Sequence, residues 1–412
     1  MTPARSYRLL EVTGIELEYP VVDAQMCAQP LVEELFRKIA GRPASDVEHG
    51  EVVFSNEMAA HIFEAKVPRP EHSLPSIERK LTSGVRAVNA LLRSEWGARL
   101  LPTGMHPFMD PVRGRIWRRA GKAIYQAYAE LFDVREHGWM NVHSCHINLP
   151  FGDEHERVLL HNAICCLLPY LPALAASSPI YEGKLGPNVC NRLAFYRTNQ
   201  KRFPRISGQV VPEYMESSRQ YRREILGAIY KDLRGVPGAE RLRHEWINSR
   251  GAIMRFNRSA IEIRVLDVQE CPKMDLALAS FIRVALKFIM QALKGGGMSL
   301  PEHGVLVTDY DAVVERGSRA PVAAPHLRRL LGIKEREARD ALRELLRRVE
   351  PLAPAGEKNY FPLVAGLIER GNLSERMRAS VLRKRAASRR GAIRELYEEL
   401  ALCLETNTPW RD

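Results

Sequence analysis

Strict alternation of apolar and polar residues commits a segment to the two-residue period of a β-strand, because successive side chains leave a strand on opposite faces. Three stretches of this 412-residue chain alternate in this way: Gly14-Ile15-Glu16-Leu17-Glu18-Tyr19, Cys145-His146-Ile147-Asn148-Leu149 and Ile261-Glu262-Ile263-Arg264-Val265. Each would press its Ile, Leu or Val residues into a core and turn its polar members the other way. If the three share a sheet, the outer face becomes a polar floor carrying Glu16, Glu18, His146, Asn148, Glu262 and Arg264. Ordinary solvent faces of sheets carry Lys, Thr, Ser and mixed charge. Carboxylates with one imidazole, one amide and one guanidinium suit divalent cations and phosphates instead.

The alternation is interrupted by helical periodicity. Apolar residues at three- and four-residue spacing predict amphipathic helices over Ser73 to Trp96 and over Arg113 to Phe132, the latter through Ile116, Ala120, Ile124, Ala127 and Leu131. Glu154 to Ala176 reads as a largely buried helix disturbed at Pro169 and Pro172, and Asp275 to Leu293 as a long apolar helix ending at Gly295-Gly296-Gly297. No strand feeds those glycines, so they read as a helix end rather than a phosphate cradle. Irregular gaps and the lack of a Gly-rich strand-to-helix turn argue against a dinucleotide-binding doubly wound fold. The expected class is α+β: a mainly antiparallel sheet with helices on one face and the site on the other, roofed by loops. Composition divides the chain into a catalytic unit over 1–297 and a helical C-terminal region over 298–412, where Leu recurs among Arg and Glu.

The net charge of +12 fits an enzyme that steers anionic substrates toward itself, and it also admits nucleic acid. Interleaving of Lys and Arg with Asp and Glu favours the first reading, and the cluster Arg383, Lys384, Arg385, Arg389 and Arg390 reads as a solvated helix face. Seven scattered cysteines without a CxxC pair predict a reduced, cytoplasmic protein with no disulfide framework. The start Met1-Thr2-Pro3-Ala4-Arg5-Ser6 lacks an apolar core, and no run is expected to span a bilayer.

Magnesium takes oxygen ligands from a few carboxylates and from substrate phosphates. Glu16, Glu18 and Glu262 supply such oxygens, and Glu57 and Glu64 add two more in a segment whose pattern fits helix or strand. Arg250, Arg255, Arg258 and Arg264 offer guanidinium groups for bidentate contacts, with only Arg264 directed by the alternation. A Cys-His nucleophile at Cys145 and His146 is disfavoured, since the two side chains leave opposite faces.

At these residues the chain resembles the glutamate-cysteine ligase superfamily, including its carboxylate-amine ligase branch. The motifs follow in the family's order: Gly14-Ile-Glu-Leu-Glu18, Glu57 with Glu64, Thr103-Gly-Met-His-Pro-Phe108, His146-Ile-Asn-Leu-Pro150, Leu171-Pro-Ala-Leu-Ala-Ala-Ser-Ser-Pro179 with Gly183, Asn191-Arg192, and Ile261-Glu-Ile-Arg-Val-Leu-Asp267. The region after residue 300 carries none of them. The resemblance implies a fold similar to the glutamine synthetase catalytic domain, with a curved sheet that binds ATP, Mg2+ or Mn2+, and an amino acid. Family members pass the γ-phosphoryl group of ATP to a carboxylate, and an amine then displaces phosphate to give an amide. Carried over, Glu16, Glu57, Glu64, His146 and Glu262 resemble metal ligands, with Glu18 beside them and Arg264 facing the transferring phosphate. Arg192 and one of Arg250 or Arg255 would bind substrate carboxylate or nucleotide phosphates, and Asn148, His106 and Ser178 would line the site. The His-x-Asn form at 146–148 is closer to the glutamate-cysteine ligases than to the other branch, which makes glutamate and cysteine the default substrates. The alternatives are a ligase acting on a peptide, carrier-protein or natural-product intermediate, and a nucleic-acid binder using the basic helices. Oligomeric state is not legible.

Overall fold

The computed structural model describes residues 7–119 and 122–411. Met1 to Ser6 and Ala120, which entered the reading above, lie outside the described residues. Ten strands are described: β1 (Gly14–Val22), β2 (Asp46–His49), β3 (Val52–Asn56), β4 (Ile62–Lys66), β5 (Arg99–Leu100), β6 (Ser144–Pro150), β7 (Ile180–Tyr181), β8 (Lys184–Leu185), β9 (Ala252–Arg255) and β10 (Ala260–Asp267). The main sheet runs β2-β3-β4-β1-β6-β10-β9, with β5 on the end of β1 and β7-β8 as a separate hairpin. Its pairings are antiparallel, and the three alternating segments become its adjacent central strands β1, β6 and β10. This is the curved α+β architecture expected from the sequence.

The inner face of the sheet carries Ile15, Leu17, Tyr19, Cys145, Ile147, Leu149, Ile261 and Ile263, all buried in one hydrophobic cluster with the helices behind. Cys145 thus faces the core, away from His146, as the alternation requires. The helix Leu74–Trp96 begins where the Ser73 side chain accepts from the Ser76 amide and ends at Gly97, whose φ of 61° suits a left-handed cap. Its Ile77, Leu81, Val85, Val88 and Leu92 bury one stripe against the sheet, and truncating any one to Ala removes about 2–5 kcal/mol. Gly84 permits that approach, since a Cβ there would sit 2.3 Å from Val52.

Two helices differ from expectation. The helix read from Arg113 starts only at Lys122, because Pro111–Arg113 forms a short turn and Ile116 bridges to Ala59 in extended form. The stretch after Glu154 is helical to Leu167 and then breaks into a tight turn and a short helix at Pro169 and Pro172, because proline lacks the donor a continuous helix needs. The long apolar helix read from Asp275 runs over Pro272–Lys294, and its 23 residues, with an 18-residue window of mean hydropathy 1.7, are long and apolar enough to cross a membrane, where no such run was expected. Most of that window is buried inside the protein, where the helix packs against Leu74–Trp96, Glu154–Leu167, Ala338–Val349 and Phe361–Arg370. A helix enclosed on most sides has no polar face to display.

Beyond residue 298 the described elements are helical or 3-10. Leu327, Leu342, Leu345, Val364 and Leu367 join the same cluster as the sheet, while Met377, Ile393, Leu396, Tyr397 and Leu400 cover Val22, Met26, Leu101 and Ile180. The outer sheet face is roofed by the helix Lys122–Leu131 and by residues 138–142, 196–200 and 246–249, over a cavity of about 560 Å³.

Candidate active site

Register builds the floor of this cavity. Glu16 on β1 stands directly opposite His146 on β6 and Lys66 on β4, Glu18 stands opposite Glu64, and Asn148 opposite Glu262. Directly paired residues approach within reach of one another, so the alternation on separate strands becomes a packed cluster. His146 Nδ1 lies 3.3 Å from Glu16 Oε2 and 4.0 Å from Glu262 Oε1, and its Nε2 lies 4.0 Å from Glu18 Oε1. Glu16, His146 and Glu262 each place one ligand atom within 4.8 Å of the others. Glu64, opposite Glu18, is clasped by Lys66 at 2.6 Å, while Glu57 follows β3 in the loop, so both acids reach the cavity without a helix.

The charges are unequally compensated. Burial opposes ionisation of Glu262, but Arg264 at 2.6 Å and Arg255 on its other oxygen hold its carboxyl far below the usual range. Burial also works against Glu16, but the His146 hydrogen bond together with the His146 and Lys66 charges leaves its carboxyl lowered. Burial disfavours charged His146, yet Glu16, Glu18 and Glu262 around it raise it above its ordinary value. At the β3-β4 side the balance reverses. Burial and the neighbouring Glu16 charge push Glu64 up to about 7 despite Lys66, and burial with Glu18 and Glu64 drives partly open Glu57 well above its usual range. Carboxylates gathered with so little compensation suit an added cation.

Of the other expected residues, Arg264, Arg192 and Arg255 line the cavity, and Arg255 bonds Glu262. Arg192 donates through Nε to buried Asp267 and through Nη2 to the Arg264 carbonyl at 3.2 Å, so much of its guanidinium is already committed. Four residues fall outside the cavity wall. Arg250 is buried in a two-point pair with Glu213, at 2.8 Å on its second nitrogen, and also donates to the Arg205 carbonyl; the choice between Arg250 and Arg255 falls to Arg255. Asn148 shares the polar face with its pair partner Glu262 but stands beyond the cavity wall, its Cβ 3.1 Å from where one built on Gly14 would lie and its Oδ1 enclosed. His106 turns inward, its Nδ1 accepting from the Phe108 amide at 3.0 Å. Ser178 accepts from the Arg192 amide at 3.1 Å and so anchors the start of the helix Asn191–Tyr196.

The structure adds residues that the sequence did not single out, and it gives a direction to Arg258, which the sequence offered without one. Lys66 shares the floor with Glu64, a position that the alternation over 62–67 already implied. Arg258, from the turn between β9 and β10, reaches Glu16 at 3.4 Å. Ser144 donates or accepts at His146 Nε2 (2.8 Å), and its amide donates to Glu18 at 2.6 Å. Opposite the floor stand Tyr125, Tyr128, Trp139 and Trp246, brought from three separate segments that no local pattern connects. In the basic cluster, Lys384 pairs with Glu399, Arg389 donates to the Val381 carbonyl and Arg390 lies 4.2 Å over the Phe108 ring.

Fold and site together define an α+β protein with carboxylates, an imidazole and guanidinium groups gathered on one sheet face beneath a single large cavity. The chain belongs to glutamate-cysteine ligase family 2, whose family model matches residues 12–399 and so extends through most of the helical C-terminal region. It is 37% identical over 394 residues to an uncharacterised protein of Archaeoglobus fulgidus, covering 96% of this chain and 98% of that one. It is 27% identical over 369 residues to a putative glutamate–cysteine ligase 2 of Ectopseudomonas mendocina, covering 88% of each. In fold it resembles the glutamate–cysteine ligase of Francisella tularensis crystallised with AMP, with a TM-score of 0.61 at 12% identity over 97% of this chain and 90% of that one. A bifunctional glutathione synthetase of Pasteurella multocida gives 0.63 at 13% identity, over 96% of this chain and 52% of that one.

Proposed function

We propose that the protein is an ATP-dependent carboxylate-amine ligase that forms an amide through an acyl phosphate, with glutamate and cysteine as the default pair. The observation that carries this reading is the convergence of Glu16, His146 and Glu262 beside Arg264 under one cavity, in a chain of this family. Glu16, Glu57, Glu64, His146 and Glu262 are the residues that would hold Mg2+ or Mn2+, with Glu18 fixing the Ser144 backbone beside them. The donor set fits: oxygen atoms dominate, the carboxylates at the Glu57 end are short of counter-charge, and one imidazole admits manganese as readily as magnesium. When bound, such ions neutralise phosphate charge and hold donor and acceptor in line.

The chain's own groups do the rest. Arg264, fixed on Glu262, presents a guanidinium to an oxyanion leaving or joining the carboxylate, and preorganised charge of this kind needs no rearrangement during transfer. Arg255 and Arg258 place further positive charge around the same acids. The free cysteines fit a reducing, cytoplasmic setting.

A second reading, a ligase acting on a peptide or natural-product intermediate, draws on the aromatic wall of Tyr128, Trp139 and Trp246, which exceeds what cysteine needs. Phosphate release from ATP and Mg2+ is to be measured with pairs of free amino acids and then with amine-bearing peptides. Release that requires both a free carboxylate donor and a free amine supports the first reading. Release only with peptides selects the second, and no release with either class removes the ligase assignment.

A further inference from the structure

The pairing of β10 with β6 slips by one residue: Ile263 faces Ile147, but Leu266 faces Cys145, so Arg264 and Val265 together stand opposite His146. This is a β-bulge, and it changes which side chains reach the floor. Unbroken alternation would turn Leu266 toward the cavity and Asp267 into the core. With the extra residue, Val265 and Leu266 both enter the core, and Asp267, opposite Ser144, comes round to the polar side. Arg264 sits at the slip itself.

Arg264 has no single partner on β6, and its backbone is held otherwise: its amide continues the β9 ladder, in register with Gly251, and its carbonyl finds a side chain. Its amide donates to the Gly251 carbonyl at 2.8 Å, and its carbonyl accepts from Arg192 Nη2 at 3.2 Å. Gly251 is required for the first contact, since a Cβ there would lie 2.5 Å from Val265 Cγ1. The second depends on Arg192, and Arg192 is in turn fixed by Asp267, which accepts its Nε on one oxygen and the Ser177 amide, at 2.8 Å, on the other. Arg192 and Asp267 are 2% and 0% exposed, and Gly104 presses on Asp267 so closely that a Cβ would come within 2.5 Å of its carboxyl carbon.

We infer that Asp267 and Arg192 are positioning residues that lock the bulge and thereby aim Arg264 across the cavity floor. The catalytic consequence rests on the ligase reading, whereas the locking itself does not. Arg192→Lys retains a charge beside Asp267 but gives up the planar fork that reaches Asp267 and the Arg264 carbonyl together.

Two measurements on the full chain test this. The first is amide hydrogen exchange in the wild type, Arg192→Lys and Asp267→Asn; loss of protection at the Arg264 and Val265 amides, with Ile261 and Ile263 unchanged, is expected in both variants. The second is ATP-dependent phosphate release with the substrates that support turnover, where kcat is expected to fall about 10- to 100-fold with KM for ATP and for the carboxylate within about twofold. A rise in KM with unchanged kcat and unchanged protection at Arg264 would make Arg192 a substrate-binding group and overturn the inference. Unchanged protection in Asp267→Asn, should Arg192→Lys fail to fold, overturns it equally. A wild type without turnover removes the ligase reading alone, since the exchange arm still reads the lock.

Discussion

Glu16 and Glu262 lie on β1 and β10, on either side of β6, and look interchangeable in sequence, yet their surroundings give them different roles in stability. Glu262 is 1% exposed and neutralises two guanidinium groups, so Glu262→Gln takes the carboxylate from partly buried Arg264 and leaves Arg255 with only the more distant Glu245 at 3.8 Å. We expect that variant to lose turnover and also about 3–5 kcal/mol of unfolding free energy in urea titrations, the size typical of breaking a buried pair from one side. Glu16 bonds His146 and half-exposed Arg258 at longer range, and it repels Glu262. Glu16→Gln should therefore abolish phosphate release while changing stability by no more than about 1 kcal/mol. A Glu16→Gln protein that turns over normally would remove Glu16 from the proposed cation set.

The elements that were legible as such are those whose pattern repeats over several turns or pairs. Leu74–Trp96 is recognisable from its stripe, whereas the span from Arg113 was misread because Ile116 met the helical spacing by coincidence while its backbone bridges to Ala59. A bulge leaves a fainter mark. Within β10, after its first pair Ala260-Ile261, Val265-Leu266 is where the alternation breaks with two adjoining apolar residues, and both are buried. The contact of helix and sheet at Gly84 is tight enough that Gly84→Ala, ordinarily favourable within a helix, should instead cost about 1–3 kcal/mol through overpacking against Val52. Thermal denaturation of the single variant checks the sign, and Gly84→Ala combined with Val52→Ala should recover part of the loss.

Across the whole molecule, one hydrophobic cluster joins the sheet to helices beyond residue 298, and a second covers β1 and β5 with the last two helices. The full chain should consequently unfold in a single transition, and a chain ending at 297 should aggregate or lose its melting transition, as scanning calorimetry and sedimentation would reveal. Acid should weaken the fold between these layers. Burial lowers His61 to about 4 and His143 to about 3, so both stay neutral when folded but take up protons near 6.5 when unfolded. Their share of stability is present above about pH 6.5 and is lost as pH falls from there toward 4, by a few kcal/mol in all. Urea titrations against pH would read this slope, and His61→Gln should flatten it. What the sequence determined alone was periodicity, hence three strands with a carboxylate-rich face and an apolar one, because side-chain direction in a strand is a local property. Only the tertiary structure decided that Arg255 rather than Arg250 reaches Glu262, that Asn148 stands beyond the cavity wall and that Arg264 rides on a bulge, because those outcomes depend on which distant groups satisfy each buried charge and backbone amide.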